Sequence, residues 1–291
     1  MKGYIINKKQ VIWDGIIGFF LITILFLFIS FIFEKLDYRF EWGGLKEYFF
    51  YYDNGIKSGL ILNGIFFTLK LSLFIIMTST FLAIIFAIIR FLSPNFLGFP
   101  IYLITETLRT IPPLVVMYMF YFFIGDRLIP DVLLTFIEGN NIVNFLVEFF
   151  VSDLSIFKQF FAASIGLAFY EASYISEIIR GGLNGISKTQ VEAGLSLGLN
   201  RYHVFTKIIL PQALEKSFPA MAGQYVSIIK NTSIASVVAI PELTFVSMEV
   251  LATNRLTFEI WLIIILIYLI INIILSMGIK MLDIKIKLKY F

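Results

Sequence analysis

The amino-acid sequence predicts an all-α integral membrane protein with about six transmembrane helices, and three observations support this fold class. The 291-residue chain is 59% hydrophobic and only 15% charged, whereas soluble domains are about 45–50% apolar and about 25% charged. Long apolar segments recur along the chain, and Lys and Arg are concentrated in alternate loops between them. A water-soluble fold of this size could not bury so much apolar surface, so lipid is the expected solvent.

Each predicted helix is an apolar segment of about 20 residues, the length that crosses a bilayer at about 1.5 Å per residue. The six segments are Val11–Phe33, Gly64–Ile89, Ile104–Ile124, Phe160–Ile179, Phe218–Ile240 and Phe258–Ile279. The fifth is the least apolar, because it contains Lys230 and several small polar residues. The first follows a basic N-terminus as a signal peptide would, but it is longer than a signal-peptide core and is predicted to be retained.

The charge distribution predicts the orientation in the membrane. Six spans place both termini on one side. The loops on that side carry fourteen Lys and Arg residues, and the opposite loops carry seven. The basic loops are 1–10, 90–109, 180–217 and 280–291. Because loops rich in Lys and Arg remain in the cytoplasm, both termini are expected to be cytoplasmic.

The domain organisation is one membrane domain with an added N-terminal module. Residues 1–59 are predicted to hold the extra first helix and an aromatic-rich extracytoplasmic loop. Residues 60–285 form the main transmembrane domain, and residues 286–291 form a cytoplasmic tail. The Trp and Tyr residues of the aromatic loop, which suit a membrane–water interface, are Trp42, Tyr48, Tyr51 and Tyr52.

The long basic loop 180–217 predicts a helix that ends at a glycine. Ser187, followed three residues later by Gln190, has the pattern of a capping box at a helix start. Gly198 offers the positive φ angle that ends many helices. The residues of this segment that share one helical face, by their i, i+4 spacing, are Val191, Leu195 and Leu199.

A second short helix is predicted directly after the glycine. Asn200 can cap the segment RYHVFTKII, since asparagine side chains accept hydrogen bonds from the first backbone N–H groups of a helix. Leu210–Pro211 is expected to end this helix, because the residue before a proline disfavours helical backbone. The loop therefore predicts an amphipathic helical hairpin on the cytoplasmic side.

The stretch EAGLSLGLNRYHVFTKIILPQAL resembles the cytoplasmic signature loop of bacterial ABC importer permeases. That signature reads Glu-Ala-Ala, three residues, Gly, nine residues and Ile-x-Leu-Pro. The matching residues of this chain, at the same spacing, are Glu192, Ala193, Gly194, Gly198, Ile208, Leu210 and Pro211. Gly194 in place of the third Ala is the one departure, and it replaces one small residue with another.

Four further segments resemble the polar amino-acid branch of that family: NGIFFTLKLSLF (63–74), ETLRTIPPLVVMYMFYF (106–122), SYISEIIRGGLNGI (173–186) and SIIKNTSIASVVAIPEL (227–243). The resemblance covers roughly residues 60–285. It implies a type I ABC importer transmembrane domain in a bacterial cytoplasmic membrane, with an amino acid as substrate. It also implies two ATPase subunits docked on the signature loop, a second permease subunit and an extracytoplasmic solute-binding protein.

No catalytic or metal site is expected in the chain itself. The segment GISKT (185–189) lacks the glycine spacing of a phosphate-binding loop. The chain contains no Cys and a single His, His203, so neither a metal cluster nor a triad with His is supported. ATP and Mg²⁺ would bind the partner ATPase. The expected surroundings are membrane lipid, without nucleic acid.

Charged residues within the spans allow two interpretations, because such residues face a bundle interior or an aqueous path and usually form pairs. One interpretation is interior ion pairs that orient helices, and its candidates are Glu106, Arg109 and Glu177. The other is a substrate path that complements the ammonium and carboxylate groups of an amino acid. Its candidates are Glu171, Ser173, Lys230, Asn231 and Thr232.

Three other functions are compatible with parts of the sequence. A secondary transporter or channel would suit six helices with buried charges, but it leaves the spaced cytoplasmic signature unexplained. A membrane scaffold or sensor would need no solute path. An ABC permease for another small solute would differ in the substrate alone. Co-purification of an ATPase subunit distinguishes the permease from the first two.

Overall fold

A computed structural model describes residues 8–36, 40–53, 55–125, 137, 139–151, 154–254 and 256–289. The chain forms two compact units, Met1–Trp42 and Gly43–Phe291. The sequence placed the end of the N-terminal module at residue 59, but the structure assigns residues 43–59 to the second unit. The physical reason is burial, since Leu45 packs in an apolar cluster with Ile61 and Val250.

The first unit is built on helix α1, Lys8–Leu36, which contains the first predicted span. Its described apolar side chains are exposed, among them Trp13, Phe19 and Phe26. A helix that presents apolar residues on its surface suits a lipid environment. The terminal residues 1–7 and 290–291, which belong to the segments predicted to be cytoplasmic, lie outside the described residues.

The second unit begins with a short 3-10 helix, Gly43–Leu45, helix α2, Lys46–Phe49, and a β-hairpin. Strands β1, Phe50–Tyr52, and β2, Ile56–Ser58, are antiparallel, with Tyr51 opposite Lys57. A Cβ atom on Gly59 would lie 2.4 Å from the backbone carbonyl of Tyr48. Because only glycine fits this approach, the aromatic hairpin is held closely at the start of the next helix.

Within the described part of the second unit, two helices are long and apolar enough to cross a membrane by themselves. Helix α3, Leu60–Leu92, contains the second predicted span. The last helix of the chain runs over Thr257–Lys289 and contains the sixth predicted span; residues 257–281 of it meet the criterion.

The third predicted span, Ile104–Ile124, is wrong as a single helix. The structure divides it into α4, Gly98–Thr110, and α5, Pro113–Phe120, followed by a π-helical turn, Tyr121–Gly125. The break lies at Pro112, whose ψ of 140° is not helical. A residue that precedes a proline is driven out of the helical region, whereas a proline is well tolerated in the first turn of a new helix.

The loop predicted over residues 125–159 contains a further helix, α6, Asn141–Val151. Val143, Val147 and Phe150 on one side of α6 pack against the main core. Ile142 and Phe145 are exposed on the other side. Much of the rest of this loop, residues 126–136, 138 and 152–153, lies outside the described residues.

Helix α7, Phe157–Asn184, is the central helix of the second unit and contains the fourth predicted span. Phe160, Leu167 and Ile175 are fully buried in the core. A Cβ on Gly166 would lie 2.8 Å from the Cβ of Phe120 and 3.2 Å from the Cα of Met117. The glycine therefore allows α5 to pack directly against the backbone of α7.

The fifth predicted span, Phe218–Ile240, corresponds to a broken helix. Helix α10, Leu210–Asn231, continues as a 3-10 helix, Thr232–Val238. After Ala239, whose φ of 57° is left-handed, the chain turns by 49° into helix α11, Leu243–Thr253. The two arms together qualify as one bent membrane span by length and composition. Two short helices, α8 and α9, lie in the loop that precedes α10. The last helix, Thr257–Lys289, is α12.

Candidate coupling hairpin and buried polar sites

The predicted hairpin in the long loop is present. Helix α8 runs over Lys188–Ser196 and helix α9 over Arg201–Val204. Ser187 has the extended backbone of an N-cap, but its side chain makes no capping bond, so the reciprocal capping box is not formed. Asn200 caps the second helix as predicted, because its Oδ1 accepts the backbone N–H of His203 at 2.8 Å.

The turn between the two helices depends on Gly198. Its φ of 82° lies in the left-handed region, which costs a residue with a Cβ about 1–2 kcal/mol. The N–H of Gly198 donates to the carbonyl of Leu195, and that of Leu199 donates to the carbonyl of Gly194. This pair of bonds is a Schellman motif, which satisfies the last carbonyls of the helix.

Gly194 lies inside the hairpin. It is buried, and a Cβ on it would lie 2.8 Å from Cδ1 of Ile208 and 3.2 Å from Cγ2 of Val204. The residue that departs from the family signature therefore brings the two arms of the hairpin together. The predicted common face of α8 is only partly buried, since Val191 and Leu199 pack on the core while Leu195 remains 42% exposed.

The predicted end of the second helix at Leu210–Pro211 is wrong. The chain passes from α9 through a π-helical turn, Phe205–Ile209, directly into α10. Pro211 occupies the first turn of α10, where a missing N–H is tolerated. Ile208 and Leu210 are half-buried at the base of the hairpin. The second arm of the hairpin, α9, and the membrane helix α10 are thus one continuous helical path.

The outer side of the hairpin presents an exposed surface that we call the hairpin tip. Its apolar members are prominent, with Leu197 83% and Tyr202 71% exposed. Large apolar side chains on a solvent-facing loop indicate a contact surface. The residues of the hairpin tip, all exposed, are Glu192, Ala193, Leu195, Leu197 and Tyr202.

Glu171 is a fully buried carboxylate on the central helix. Its Oε2 accepts a hydrogen bond from Nε2 of Gln224 at 2.6 Å, and its Oε1 accepts one from Nδ2 of Asn231 at 2.7 Å. Both donors belong to α10. The carboxylate therefore joins α7 to α10 through two side-chain amides, which are the partners that a buried charge requires.

The other substrate-path candidates do not converge on Glu171. Ser173 is buried and donates its hydroxyl to the carbonyl of Tyr170 at 2.6 Å. Thr232 is buried and donates to the carbonyl of Ile229 at 2.7 Å. Lys230 is exposed and makes no ion pair with any described residue. The structure thus brings Glu171 and Asn231 together and leaves the other three apart.

The interior-charge candidates do form ion pairs. Glu106 pairs with Arg109 one helical turn away on α4, and both side chains are partly exposed. Glu177 on α7 pairs with Arg180 on its own helix and with Arg90 of α3, the latter at 3.0 Å. Because the Arg90 side chain is only 8% exposed, this second contact ties the ends of two core helices together.

Glu242, which was not among the predicted site residues, is a fully buried carboxylate at the N-cap of α11. It accepts the backbone N–H groups of Thr244 and Phe245 at 2.9 and 2.8 Å, and the hydroxyl of Tyr268 at 3.1 Å. Thr68 of α3 accepts the N–H of Leu243 at 2.9 Å. An acidic residue directly before an apolar helix was the available signal.

Among the residues that the structure describes, no group of three His, Asp or Glu side chains could hold a metal ion. The buried carboxylates are instead engaged by amide, hydroxyl and backbone donors.

The broken membrane helices and the glycine-bent hairpin define a class of protein, that of the integral membrane components of transport systems. The chain belongs to the family described as binding-protein-dependent transport system inner membrane component, whose family model matches residues 79–288. The match includes the hairpin and the helices on both sides of it.

Named relatives lie among amino-acid permeases. The glutamine transport system permease protein GlnP of Escherichia coli (strain K12) is 36% identical over 146 residues, 50% of this chain and 66% of that protein. The octopine transport system permease protein OccM of Rhizobium radiobacter is 30% identical over 216 residues, 74% of this chain and 81% of that protein. The chain thus spans just under two thirds of the first relative and most of the second.

Two solved structures have the same fold. The crystal structure of an amino acid ABC transporter with histidines aligns with a TM-score of 0.62 and 24% identity, covering 78% of this chain and 94% of that one. An inward facing conformation of the MetNI methionine ABC transporter aligns with a TM-score of 0.56 and 14% identity, covering 77% and 94%. The fold is that of a type I ABC importer transmembrane domain.

Proposed function

We propose that the chain is the membrane-spanning permease subunit of an ATP-driven ABC importer for a polar amino acid. The observation that carries the proposal is the hairpin at residues 187–211, which combines the family spacing with a tight turn at Gly198. Relatives named for glutamine and octopine transport support an amino-acid substrate. In this proposal ATP and Mg²⁺ bind separate ATPase subunits, and the chain itself hydrolyses nothing.

The hairpin tip is the surface that would contact the ATPase. Leu197 and Tyr202 supply apolar area, and Glu192 supplies a charge for a basic or polar partner. Ala193 leaves room for close approach of the partner backbone. Gly194, by contrast, contributes from inside by closing the hairpin. Glu192 and Ala193 of the signature would thus serve contact, and Gly194 would serve internal packing.

Movement of the hairpin would reach the membrane through α10. Because Ile208, Leu210 and Pro211 lie on a continuous helical path, no loop separates α9, the second arm of the hairpin, from the membrane helix. Closure of the two ATPases on ATP would then rock α10 and the helices packed on it as rigid bodies. Such rocking opens the solute path to one side of the membrane at a time.

The assembly would contain further partners. We infer two ATPase subunits, a second permease subunit and an extracytoplasmic solute-binding protein, all embedded in or docked on the bacterial cytoplasmic membrane. The charge bias of the loops supports cytoplasmic termini and a cytoplasmic hairpin. Lys230 supports an aqueous path, because an exposed lysine within a span must face water or a partner subunit.

The proposed substrate path contains Glu171, Ser173, Lys230, Asn231 and Thr232. Lys230 is the member whose side chain is exposed and available to a passing solute. Glu171, Asn231 and Gln224 would supply a separate buried polar cluster of the path. Ser173 and Thr232 would contribute small volume near the path, since their hydroxyls are engaged by their own helices.

A substitution at Gly198 tests the coupling role. Gly198→Val forces a β-branched residue into a left-handed backbone, which costs about 1–2 kcal/mol locally and displaces the hairpin tip. We expect the variant to insert normally but to lose amino-acid uptake relative to ATP hydrolysis. The measurement is the ratio of uptake to ATP turnover in proteoliposomes that contain the whole transporter.

Gly181→Val is the matched control, because Gly181 lies in α7 with open space around it and an ordinary helical backbone. It should retain the wild-type ratio. Wild-type coupling in Gly198→Val would contradict the docking role. Absence of any ATPase subunit after mild purification of the wild-type protein would contradict the importer itself.

A further inference from the structure

We propose that the cavity between α10 and α12 binds the phosphodiester headgroup of a membrane phospholipid, with the phosphate held by Ser276 and Lys280. The residues that line this cavity belong neither to the hairpin tip nor to the buried cluster around Glu171. The site would therefore add a lipid ligand to the transport role, and it does not depend on which solute is transported.

The cavity is a groove between one face of α10 and one face of α12. Its volume is about 280 Å³, a size that suits a headgroup rather than the two acyl chains of a lipid. The α10 wall extends from Pro219 to Val226 and includes Gly223. A Cβ on Gly223 would meet no atom within 4 Å. The space beside the α10 backbone is therefore open.

The hydrogen-bond donors of the cavity lie on α12. Ser276 and Lys280 are four residues apart and so share one face of the helix. Neither side chain makes a hydrogen bond or an ion pair with any described residue. Because a helical side chain tilts toward the N-terminus of its helix, Lys280 leans toward Ser276. A hydroxyl and an ammonium group can therefore donate to the same phosphate, and such charge-assisted hydrogen bonds are the strong ones.

The depth of Lys280 in the membrane matches that of a lipid phosphate. Residues 260–279 of α12 contain no charged side chain, and Lys280 is the first charge after them. Such a residue lies where the apolar core of the bilayer ends and the headgroup region begins. The α10 wall begins at Pro219, directly after Phe218, the first residue of the fifth predicted span. Both walls of the cavity therefore meet the same boundary of the bilayer.

Asp283 restricts how a headgroup can lie in the cavity. It lines the end of the cavity one turn beyond Lys280, and its negative charge repels a phosphate. The phosphate therefore belongs beside Ser276, on the membrane side of Lys280. The acyl chains would continue from there along the apolar surface of α12, where Ile273 and Met277 are exposed.

The sequence beyond the cavity favours an anionic lipid. Helix α12 continues to Lys289, and its last turns also contain Lys285 and Lys287. Lysines that directly follow a membrane helix are attracted to anionic headgroups of the cytoplasmic leaflet by about 1 kcal/mol for each charge. This attraction would concentrate anionic lipid around the end of α12, and the cavity would hold one phosphate in place.

Native mass spectrometry of the purified full-length chain tests the site. The probes are dioleoyl phosphatidylglycerol, dioleoylglycerol, which has the same acyl chains without the phosphate, and inorganic phosphate. We expect the first phosphatidylglycerol molecule to bind at least about tenfold more tightly than dioleoylglycerol, which corresponds to about 1.4 kcal/mol. Millimolar inorganic phosphate should not displace the lipid, because a free ion gains nothing from the apolar surface of α12.

Two variants assign the contacts to the cavity. Lys280→Met should raise the dissociation constant for phosphatidylglycerol about tenfold and leave that for dioleoylglycerol unchanged. Gly223→Leu should also weaken phosphatidylglycerol binding, because the leucine fills the open space. Lys207→Met and Gly181→Leu are matched controls, since Lys207 is exposed, a Cβ on Gly181 meets no atom within 4 Å, and neither lines the cavity. Both controls should bind phosphatidylglycerol as the wild type does.

Four results would overturn the site. Equal affinity for phosphatidylglycerol and dioleoylglycerol would attribute binding to the apolar surface alone. Displacement of the lipid by inorganic phosphate would identify a site for a free anion. Equal binding by Lys280→Met and Lys207→Met would exclude the phosphate contact. Oxidative cross-linking of Ser276→Cys into dimers, in this otherwise cysteine-free chain, would show that a second copy of the chain covers the cavity.

Discussion

At the residue scale, Glu171 shows how a buried carboxylate can be held without a cation. Gln224 and Asn231 are seven residues apart, two helical turns, and so lie on the same face of α10. Lys230 is adjacent to Asn231 and therefore projects about 100° away from it. Sequence analysis grouped Glu171 with Lys230 because both are charged. In the structure, helical geometry instead places the amides of Gln224 and Asn231 against Glu171.

Glu171→Gln is expected to destabilise the protein. The glutamine NH₂ group would face the NH₂ groups of Gln224 or Asn231, so at least one charge-assisted hydrogen bond would be lost. Such a bond is worth about 1.5–3 kcal/mol. Thermal unfolding of the purified protein in detergent should show a lower midpoint.

Glu148→Gln is the control for that substitution, because Glu148 is an exposed carboxylate on α6 that accepts a bond from Asn144. It should change the free energy of unfolding by no more than about 0.5 kcal/mol. If Glu171→Gln instead leaves the midpoint unchanged and alters amino-acid affinity, its carboxylate binds substrate rather than the two amides.

At the scale of helices, hydrophobicity predicted where the membrane helices lie better than it predicted whether each one is unbroken. The spans inside α3 and α12 were found because both helices are uninterrupted apolar segments. The break at Pro112 was missed because average hydrophobicity does not detect the backbone restriction imposed by proline. Helix α6 was missed because its apolar residues are interleaved with polar ones and it lies within a segment too short to span a membrane.

The hairpin was predicted more completely than any other element, because its turn requires a positive φ angle that glycine supplies. The continuation of α9 into α10 was missed, since a proline inside the first turn of a helix has the same sequence pattern as one that ends a helix. The packing of α11 on α3 depends on contacts distant in sequence, such as the bond from the N–H of Leu243 to Thr68, so local patterns could not reveal it.

The close packing of α5 on α7 predicts that adding one methyl group at Gly166 lowers the stability of the protein. Gly166→Ala would place its Cβ 2.8 Å from the Cβ of Phe120 and 3.2 Å from the Met117 backbone. Neither is the end of a flexible side chain, so the two helices must separate. We expect a loss of about 1–3 kcal/mol in unfolding free energy, which is typical of overpacking, measured by thermal or denaturant unfolding in detergent.

Gly181→Ala makes the same change in the same helix where no atom lies within 4 Å of the new Cβ. Alanine favours a helix by up to about 1 kcal/mol over glycine, so this variant should be equally or more stable. A lower free energy of unfolding in Gly166→Ala and an equal or higher one in Gly181→Ala would locate the close contact at Gly166. A stabilising effect of Gly166→Ala would contradict the packing of α5 on α7.

At the scale of the whole molecule, the proposed mechanism depends on two surfaces that face opposite sides of the membrane. The hairpin tip must reach an ATPase in the cytoplasm, and the β-hairpin of Phe50–Ser58 must lie on the opposite side. Helix α7 connects the two ends of the core, because it begins at Phe157 after the α6 segment and ends at Asn184, shortly before the hairpin. An error in orientation would therefore invalidate both placements together.

The orientation can be measured with two single-cysteine variants of this cysteine-free chain. Tyr52 in the β-hairpin and Leu197 in the hairpin tip are each 83% exposed, so their cysteine replacements should react equally well once a reagent reaches them. In intact cells, a membrane-impermeant maleimide should label Tyr52→Cys and leave Leu197→Cys unlabelled. In inside-out vesicles the pattern should reverse, because the loops rich in Lys and Arg are cytoplasmic. Labelling of Leu197→Cys in intact cells would place the hairpin outside, where no ATP-hydrolysing subunit could bind it.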